Sequence, residues 1–153
     1  MTLPWLLAAL HLLALGIGLG AVWARGRVLR GTLDARELPR LFRADALWGA
    51  AAALWISTGL WRFLGGLEKG TSYYLQNHVF LTKMGLLLII LLLEIRPMVT
   101  LIRWRRASAT GQSFDTGAAS SMATISFIQV ALVVLMVFAA SAMARGIGVP
   151  RSP

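Results

Sequence analysis

A few ionisable side chains lie in or beside the apolar runs of this sequence, and they are the residues whose types could do chemistry. His11 lies in the first run, while His78, Lys83 and Glu94 all lie in HVFLTKMGLLLIILLLEIRP. Ionisable residues at membrane depth usually face a bundle interior or a cavity, because lipid does not solvate them. Histidine is the side chain best suited here to bind a haem iron, since cysteine is absent and the methionines are scattered. A neutral imidazole hydrogen-bonded to a neighbouring helix is the alternative role for His11.

The positions of these residues along their helices predict an outer site. With the outer ends of the first and third runs near Pro4 and Val79, His11 lies about 10 Å and Lys83 about 6 Å inside the membrane. We therefore expect His11 and Lys83 to share this site, in which His11 binds the iron of haem b. His78, at the water boundary, is a third candidate for binding the cofactor.

Glu94 needs a partner of its own at the other end of the third run. It is eleven positions from Lys83, which returns to the same helix face but leaves about 16 Å between the two residues along the axis. The candidate partners, which Asp45 could share, are basic residues near the same membrane boundary: Arg25, Arg43 and Arg96. We expect a structural cluster that fixes helix register, while a proton path from Glu94 to Lys83 is the alternative.

Long apolar runs supply the elements that must position these side chains. Of the 153 residues, 58% are hydrophobic and only 14% are charged, which is too apolar for a soluble domain of this size. At about 1.5 Å per residue, runs of this length cross a hydrocarbon core of roughly 30 Å. The sequence therefore predicts an all-α fold, an integral membrane four-helix bundle that forms one domain over residues 1–153. The predicted spans are about 4–23, 44–64, 79–102 and 122–144.

The basic residues are divided unevenly between the two ends of these helices. Nine arginines lie in the connections between the first and second and between the third and fourth runs, against four basic residues on the opposite side. This excess predicts that both termini lie outside, in the periplasm, and that the basic loops lie in the cytoplasm. The formal net charge of +9 is then a topology signal. We expect a multi-pass protein of the bacterial inner membrane, in contact with the lipid bilayer and binding no nucleic acid.

Small and aromatic residues predict how the helices pack. In LGIGLGA of the first run, Gly16 and Gly20 have the GxxxG spacing that lets a neighbouring helix approach closely, although the same glycines could make room for a flat cofactor. The fourth run is rich in small residues and has one large polar group, Gln129, which indicates a packing helix. The second run carries a stripe at intervals of seven, typical of a packing seam, that comprises Trp48, Trp55 and Arg62.

The segment from Arg43 to Pro97 carries a resemblance to a known family. Its run RADALWG…STGLWRFLGGLEKGTSYYLQNHVFLTKMGLLL…EIRP resembles a family of small bacterial inner-membrane proteins whose function is not established. The features that carry the resemblance are an Asp opening the second helix, a TGL-x-R exit, a KG-x-x-x-Y loop and an F-x-x-K entry to the third helix. The resemblance implies a small four-helix membrane protein.

More distantly, the architecture is similar to the membrane protoporphyrinogen oxidase family and its CopD-like relatives. Those are small helical bundles in which a histidine of the first helix binds b-type haem and a lysine of the third helix is required. His11 and Lys83 match these two residues. The last helix of the oxidases begins with an Asn-Glu-x-Pro-like motif that SSMATISF lacks, and the third helix here has no later histidine. The similarity therefore implies haem binding more than it implies the oxidase reaction.

Three functional interpretations are open at this point. The first is a membrane protein that binds b-type haem and has a redox or haem-related role. The second is a non-catalytic accessory subunit or assembly factor of a larger inner-membrane complex, because the chain has little mass outside the predicted helices. The third is a small transporter that works as a homo-oligomer, with Lys83, Glu94 and Asp45 along its path. Whether any reaction is catalysed is left open by the sequence.

Overall fold

Four long α-helices make up the described part of this chain. The computed structural model describes residues 2–64 and 77–147, and its helices are α1 (Thr2–Arg30), α2 (Glu37–Leu64), α3 (His78–Ala109) and α4 (Ala119–Ala144). Over those two ranges there is no β-strand, so the predicted all-α four-helix fold is confirmed. Each predicted span lies inside one helix, and α1, α2 and α3 continue for about two turns beyond it, toward the basic loops.

Three of these helices, α1 from Leu3, α3 and α4, are long and apolar enough to cross a membrane. Their outward faces carry large apolar side chains, such as Leu12 at 65%, Leu88 at 57% and Phe138 at 69% exposure. With 28 residues α2 is also long enough, but its glycine, serine, threonine and tryptophan residues make it less hydrophobic. A membrane crossing by α2 and the placement of the termini outside therefore stay predictions.

Polar side chains fix where two of the helices begin. Asp34 Oδ1 accepts hydrogen bonds from two backbone N–H groups at the start of α2, at 2.8 and 2.9 Å. The buried Asn77 Oδ1 does the same at the start of α3, at 2.9 and 3.3 Å. These acceptors satisfy donors that the first turn of a helix leaves open, so the ends of α2 and α3 are set locally by the sequence.

The helix α1 lies at the centre of the packing. It packs along α2 and α4, α4 packs along α3, and the contact between α2 and α3 is much less extensive. Side chains still connect these two helices, because Trp48 and Trp55 of α2 are buried in one apolar cluster with Ile90 of α3. The packing seam predicted from these two tryptophans is confirmed, whereas the side chain of Arg62, the third member of the stripe, lies outside the described residues.

A polar layer separates this cluster from a second apolar cluster, which gathers around Leu101 nearer the basic loops. On α1, Arg25 follows Val22 of the first cluster by three positions and precedes Leu29 of the second by four. Positions three and four apart share a helix face, so the Arg25 side chain lies on the same face of α1 as Val22 and Leu29. The side chain is fully buried, and the fold thus holds a charge on the face of α1 that packs the core.

The close approach between α1 and α2 depends on Gly18 and not on the GxxxG pair. A Cβ atom at Gly18 would lie 3.3 Å from the ring of Trp48, whereas a Cβ at Gly16 or Gly20 would meet nothing within 4 Å. Gly18 is two positions from each of the others and therefore lies on the opposite face of the helix. The GxxxG pair faces outward, so the prediction that it packs a neighbouring helix is wrong for the helices of this chain.

Candidate functional site

Arg25 is the centre of a polar layer to which all four helices contribute. Its guanidinium donates to both carboxylate oxygens of Glu94 on α3, from Nη1 at 2.7 Å and from Nη2 at 2.8 Å. Nη1 also donates to Oδ1 of Asp45 on α2, at 3.0 Å. The planar fork of an arginine matches a carboxylate in this bidentate way, so Arg25 ties α1 to both α2 and α3.

Two fully buried side chains of α4 complete the layer. Arg25 Nε donates to Ser126 Oγ at 3.1 Å, and Nη2 donates to Gln129 Oε1 at 2.8 Å. The Nε2 amide nitrogen of Gln129 donates in turn to Glu94 Oε2 at 2.8 Å and to the backbone carbonyl of Ile90 at 3.2 Å. Every nitrogen of the Arg25 guanidinium therefore has an acceptor, and Gln129 joins the arginine to its carboxylate partner.

A second arginine covers the layer on the side of the basic loops. Arg105 Nη2 donates to Asp45 Oδ2 at 3.3 Å and to the backbone carbonyl of Phe42 at 3.1 Å. Its side chain is 46% exposed, whereas that of Arg25 is 0% exposed. The two arginines balance the carboxylates of Asp45 and Glu94. Because a buried charge is costly unless it is paired and hydrogen-bonded, this balance allows the layer to exist inside the bundle.

Arg25 is the partner of Glu94 among the three candidates predicted from the sequence. Arg43 and Arg96 are exposed, and Asp45 shares Arg25 as expected. Contacts to all four helices, with every donor used, are the properties of a structural cluster that fixes how the helices align. The alternative, a proton path between Glu94 and Lys83, stays a hypothesis.

The Arg25–Glu94 contact also sets the relative depth of the outer residues. Counted from these two residues at about 1.5 Å per position, Lys83 lies about 16 Å away, His11 about 21 Å and His78 about 24 Å. The three residues therefore lie within about 8 Å of one another in depth, in the same outer region of the bundle.

The His11 side chain is half-buried against α2. Its Nδ1 lies 3.0 Å from Thr58 Oγ1, and its ring centroid lies 5.6 Å from that of Trp55. The Thr58 hydroxyl donates to the backbone carbonyl of Leu54 at 2.7 Å, so its oxygen is left to accept from Nδ1–H of the histidine. A Cβ at Gly59 would lie 3.1 Å from His11 Cε1, so the glycine makes room for the ring.

Lys83 and His78 lie on α3, which does not pack extensively along α1. Lys83 is half-buried, on the face that leads through Leu87 to the buried Ile90. His78 is the first residue of α3 and is exposed. The structure therefore brings His11 together with α2, while Lys83 approaches the same outer region from another helix.

The imidazole of His11 is a side chain that could hold a haem iron. A histidine that binds iron through Nε2 commonly has its Nδ1–H held by a hydrogen bond, as Thr58 does here. The neighbouring Trp55 has a buried Nε1–H without an acceptor among the described residues, and such a group costs about 1–3 kcal/mol until an acceptor satisfies it. The apolar cavity between Trp48 and Trp55 is narrow, so a porphyrin would lie outside it. The described residues hold no group of three metal-ligating side chains.

Several residues of these two sites were not identified from the sequence. Gln129 and Ser126 were assigned to a packing helix, although a single large polar residue three positions from a serine is a signal for a buried polar contact. Thr58 and Gly59 were noted only as part of the TGL segment. Each becomes recognisable once the partner on α1 is known, and that pairing comes from tertiary structure.

The comparison with protein families identifies the group to which this chain belongs. A family model described as "Predicted membrane protein (DUF2214)" matches residues 3–148. The chain belongs to this family, which confirms the predicted resemblance to small membrane proteins of unknown function. No curated protein and no solved structure matches it. The more distant similarity to the haem-binding oxidase and CopD-like bundles stays a prediction.

Proposed function

We propose that this member of the DUF2214 family binds b-type haem within the bacterial inner membrane and has a redox or haem-related role. The observation that carries the proposal is the hydrogen bond between His11 Nδ1 and Thr58 Oγ1, at 3.0 Å, because it orients an imidazole, the side chain of this sequence best suited to bind iron. Thr58 and Gly59, which both contact His11, belong to the TGL segment that carries the family resemblance.

Each residue of the outer site has a distinct part in this proposal. When bound, haem would supply one-electron redox chemistry at its iron. His11 would hold the iron from one side, and Thr58 would keep the imidazole from rotating. The cation of Lys83 would pair with a propionate carboxylate, and His78, only about 3 Å from His11 in depth, is the candidate for a second contact. Trp55 Nε1–H would donate to an acceptor of the ligand.

The visible absorption spectrum tests the proposal directly. The protein is purified from cells grown with supplemented haem, and its spectrum is recorded oxidised and after reduction with dithionite. We expect a Soret band that sharpens and shifts on reduction and that is lost in His11→Ala. Leu12→Ala, at the exposed neighbouring position on α1, is the control. A colourless wild-type protein, or an unchanged band in His11→Ala, would contradict the assignment.

The membrane orientation in this proposal is supported by the arginines that surround the described connections. Because the chain has no cysteine, one cysteine introduced at the exposed Ser113, in the α3–α4 connection, reports a single position. We expect it to react with a membrane-impermeant maleimide only after the cells are opened. A cysteine at the exposed Ser141, near the end of α4, is the control. Labelling of Ser113→Cys in intact cells would reverse the proposed topology.

A role as an accessory subunit of a larger complex, or as part of a homo-oligomer, is the second candidate. It is favoured by the outward face of α2, which is less hydrophobic than the other helices and carries a stripe of small exposed residues: Ala46, Ala50, Ala53 and Ser57. Such stripes allow close helix approach in membranes. Mild detergent extraction and native electrophoresis should then give a high-mass band that Ala50→Leu with Ala53→Leu removes. Recovery of the wild type as a monomer would contradict this candidate.

A further inference from the structure

Two arginines at the end of α1 lie over aromatic rings on the surface between α1 and α4. The Cζ atom of Arg27 is 5.4 Å from the centroid of the Trp23 ring, and that of Arg30 is 4.8 Å from the centroid of Phe127. The two rings meet edge to face, with centroids 5.9 Å apart. A cation over an aromatic face is attracted by the quadrupole of the ring, so each guanidinium is held at one of two rings that contact each other.

Both guanidinium groups lack a carboxylate, because the described acidic residues are used elsewhere. Asp45 and Glu94 bind Arg25, Glu37 binds Arg40, and Asp34 and Asp115 accept from backbone N–H groups of their own turns. The sixth acidic residue, Glu68, lies outside the described residues, in the α2–α3 connection. Arg27 and Arg30 thus present two adjacent positive charges that the described chain does not neutralise.

The shape of this surface matches a lipid. Phe127 can lie against α1 because position 26 is glycine, where a Cβ would come within 3.1 Å of the phenyl ring. Toward the middle of the bundle, Gly20 and Gly16 lie on the same outward face of α1 as Trp23, and these two positions have no side chain. The result is a shallow apolar surface about 10 Å long that ends at two arginines.

We propose that Arg27 and Arg30, supported by Trp23 and Phe127, bind the phosphate of one anionic phospholipid at the α1–α4 surface. Charge complementarity selects the occupant, since a phosphodiester with a net negative headgroup offsets part of the positive charge of the pair and the surrounding bilayer supplies it. The acyl chain lies along the glycine face of α1. Arginine presents several donors in a fixed fork, which suits phosphate better than a lysine would.

The test compares two double variants that remove the same charge. Arg27→Gln with Arg30→Gln alters the proposed site. Arg103→Gln with Arg106→Gln removes two exposed arginines of α3 at the same end of the bundle, and no described aromatic ring lies under them. Each protein, checked by size-exclusion chromatography, is titrated with dioleoyl-phosphatidylglycerol or dioleoyl-phosphatidylcholine in detergent, and bound lipid is counted by native mass spectrometry.

We expect one tightly bound phosphatidylglycerol on the wild type and on the α3 variant. The α1 variant should bind it about tenfold or more weakly, since each arginine near a membrane surface contributes about fivefold to binding of anionic lipid. The single variant Arg30→Gln should lose about fivefold, which gives a second test if the double variant does not fold. Equal losses in both double variants, or equal binding of phosphatidylcholine, would overturn the proposal. A protein dimer that forms through this face and excludes the lipid would overturn it as well.

Discussion

The two ends of this bundle treat their ionisable residues in opposite ways. In the layer around Arg25, every nitrogen of the guanidinium has an acceptor and all four helices take part. At the outer end, His11 Nδ1 lies 3.0 Å from the Thr58 hydroxyl of α2, and the adjacent Trp55 has a buried N–H without an acceptor among the described residues. A saturated network stabilises a fold, whereas an unsatisfied buried donor such as that of Trp55 calls for a specific explanation, for example a bound ligand.

This difference shows that the depth of an ionisable residue in the membrane does not by itself define its role. Both regions contain ionisable residues at depths where lipid would not solvate them, so depth alone makes both candidates for function. Counting the hydrogen bonds distinguishes them, because the Arg25 layer has little capacity left for a ligand. The layer is therefore a fixed frame that aligns α1 with α2, and that alignment brings His11 to Thr58.

The largest effect is expected from Arg25→Met. The substitution removes the arginine partner of Glu94 and one of the two arginines that bind Asp45, and breaking such a pair typically costs about 3–5 kcal/mol. Unfolding in detergent, followed by circular dichroism, measures the loss. Arg96→Met, which removes an exposed arginine of α3, is the control and should change stability little.

A triple variant sharpens this prediction. When Arg25→Met is combined with Asp45→Asn and Glu94→Leu, no buried charge lacks a partner, and most of the lost stability should return, because replacing a whole buried ion pair by apolar groups is often close to neutral. If Arg25→Met were as stable as Arg96→Met, the layer would not be the frame described here.

The difference between the ends also explains what could be predicted from the sequence. Helices follow from apolar length, and the pairing of Glu94 with a basic residue follows from the cost of an isolated charge. Neither argument chooses between Arg25 and Arg43, because that depends on which helix faces pack together. Gly16 and Gly20 show the same limit, since their spacing predicts close packing but not whether the partner lies in the same chain.

The next largest effect on stability is expected from alanine substitutions at two glycines of α2. Gly59→Ala adds a Cβ 3.1 Å from His11 Cε1, whereas Gly49→Ala adds one that meets nothing within 4 Å. In a helix, alanine is more favourable than glycine by about 1 kcal/mol, so Gly49→Ala should leave the stability of the protein unchanged or raise it. Gly59→Ala should be about 1 kcal/mol less stable than Gly49→Ala, because displacement of the imidazole offsets that gain. Equal stabilities would indicate that α1 and α2 are more loosely packed at His11.

The smallest effect on stability, and the most informative about the outer site, is expected from Thr58→Val. Valine keeps the shape and removes the hydroxyl, and side-chain hydrogen bonds between membrane helices contribute only about 0.6 kcal/mol on average. The reason for the small cost is that the imidazole does not depend on Thr58 for packing, since Trp55 and Gly59 still enclose it. Orientation of the ring should change far more than stability.

If His11 binds haem, Thr58→Val should therefore shift the Soret band or the reduction potential while the protein stays folded, and Thr124→Val, at an exposed hydroxyl of α4, should shift neither. A spectrum that is insensitive to Thr58 but lost in His11→Ala would mean that iron binding alone orients the imidazole, and the hydrogen bond would then serve the packing of α1 on α2.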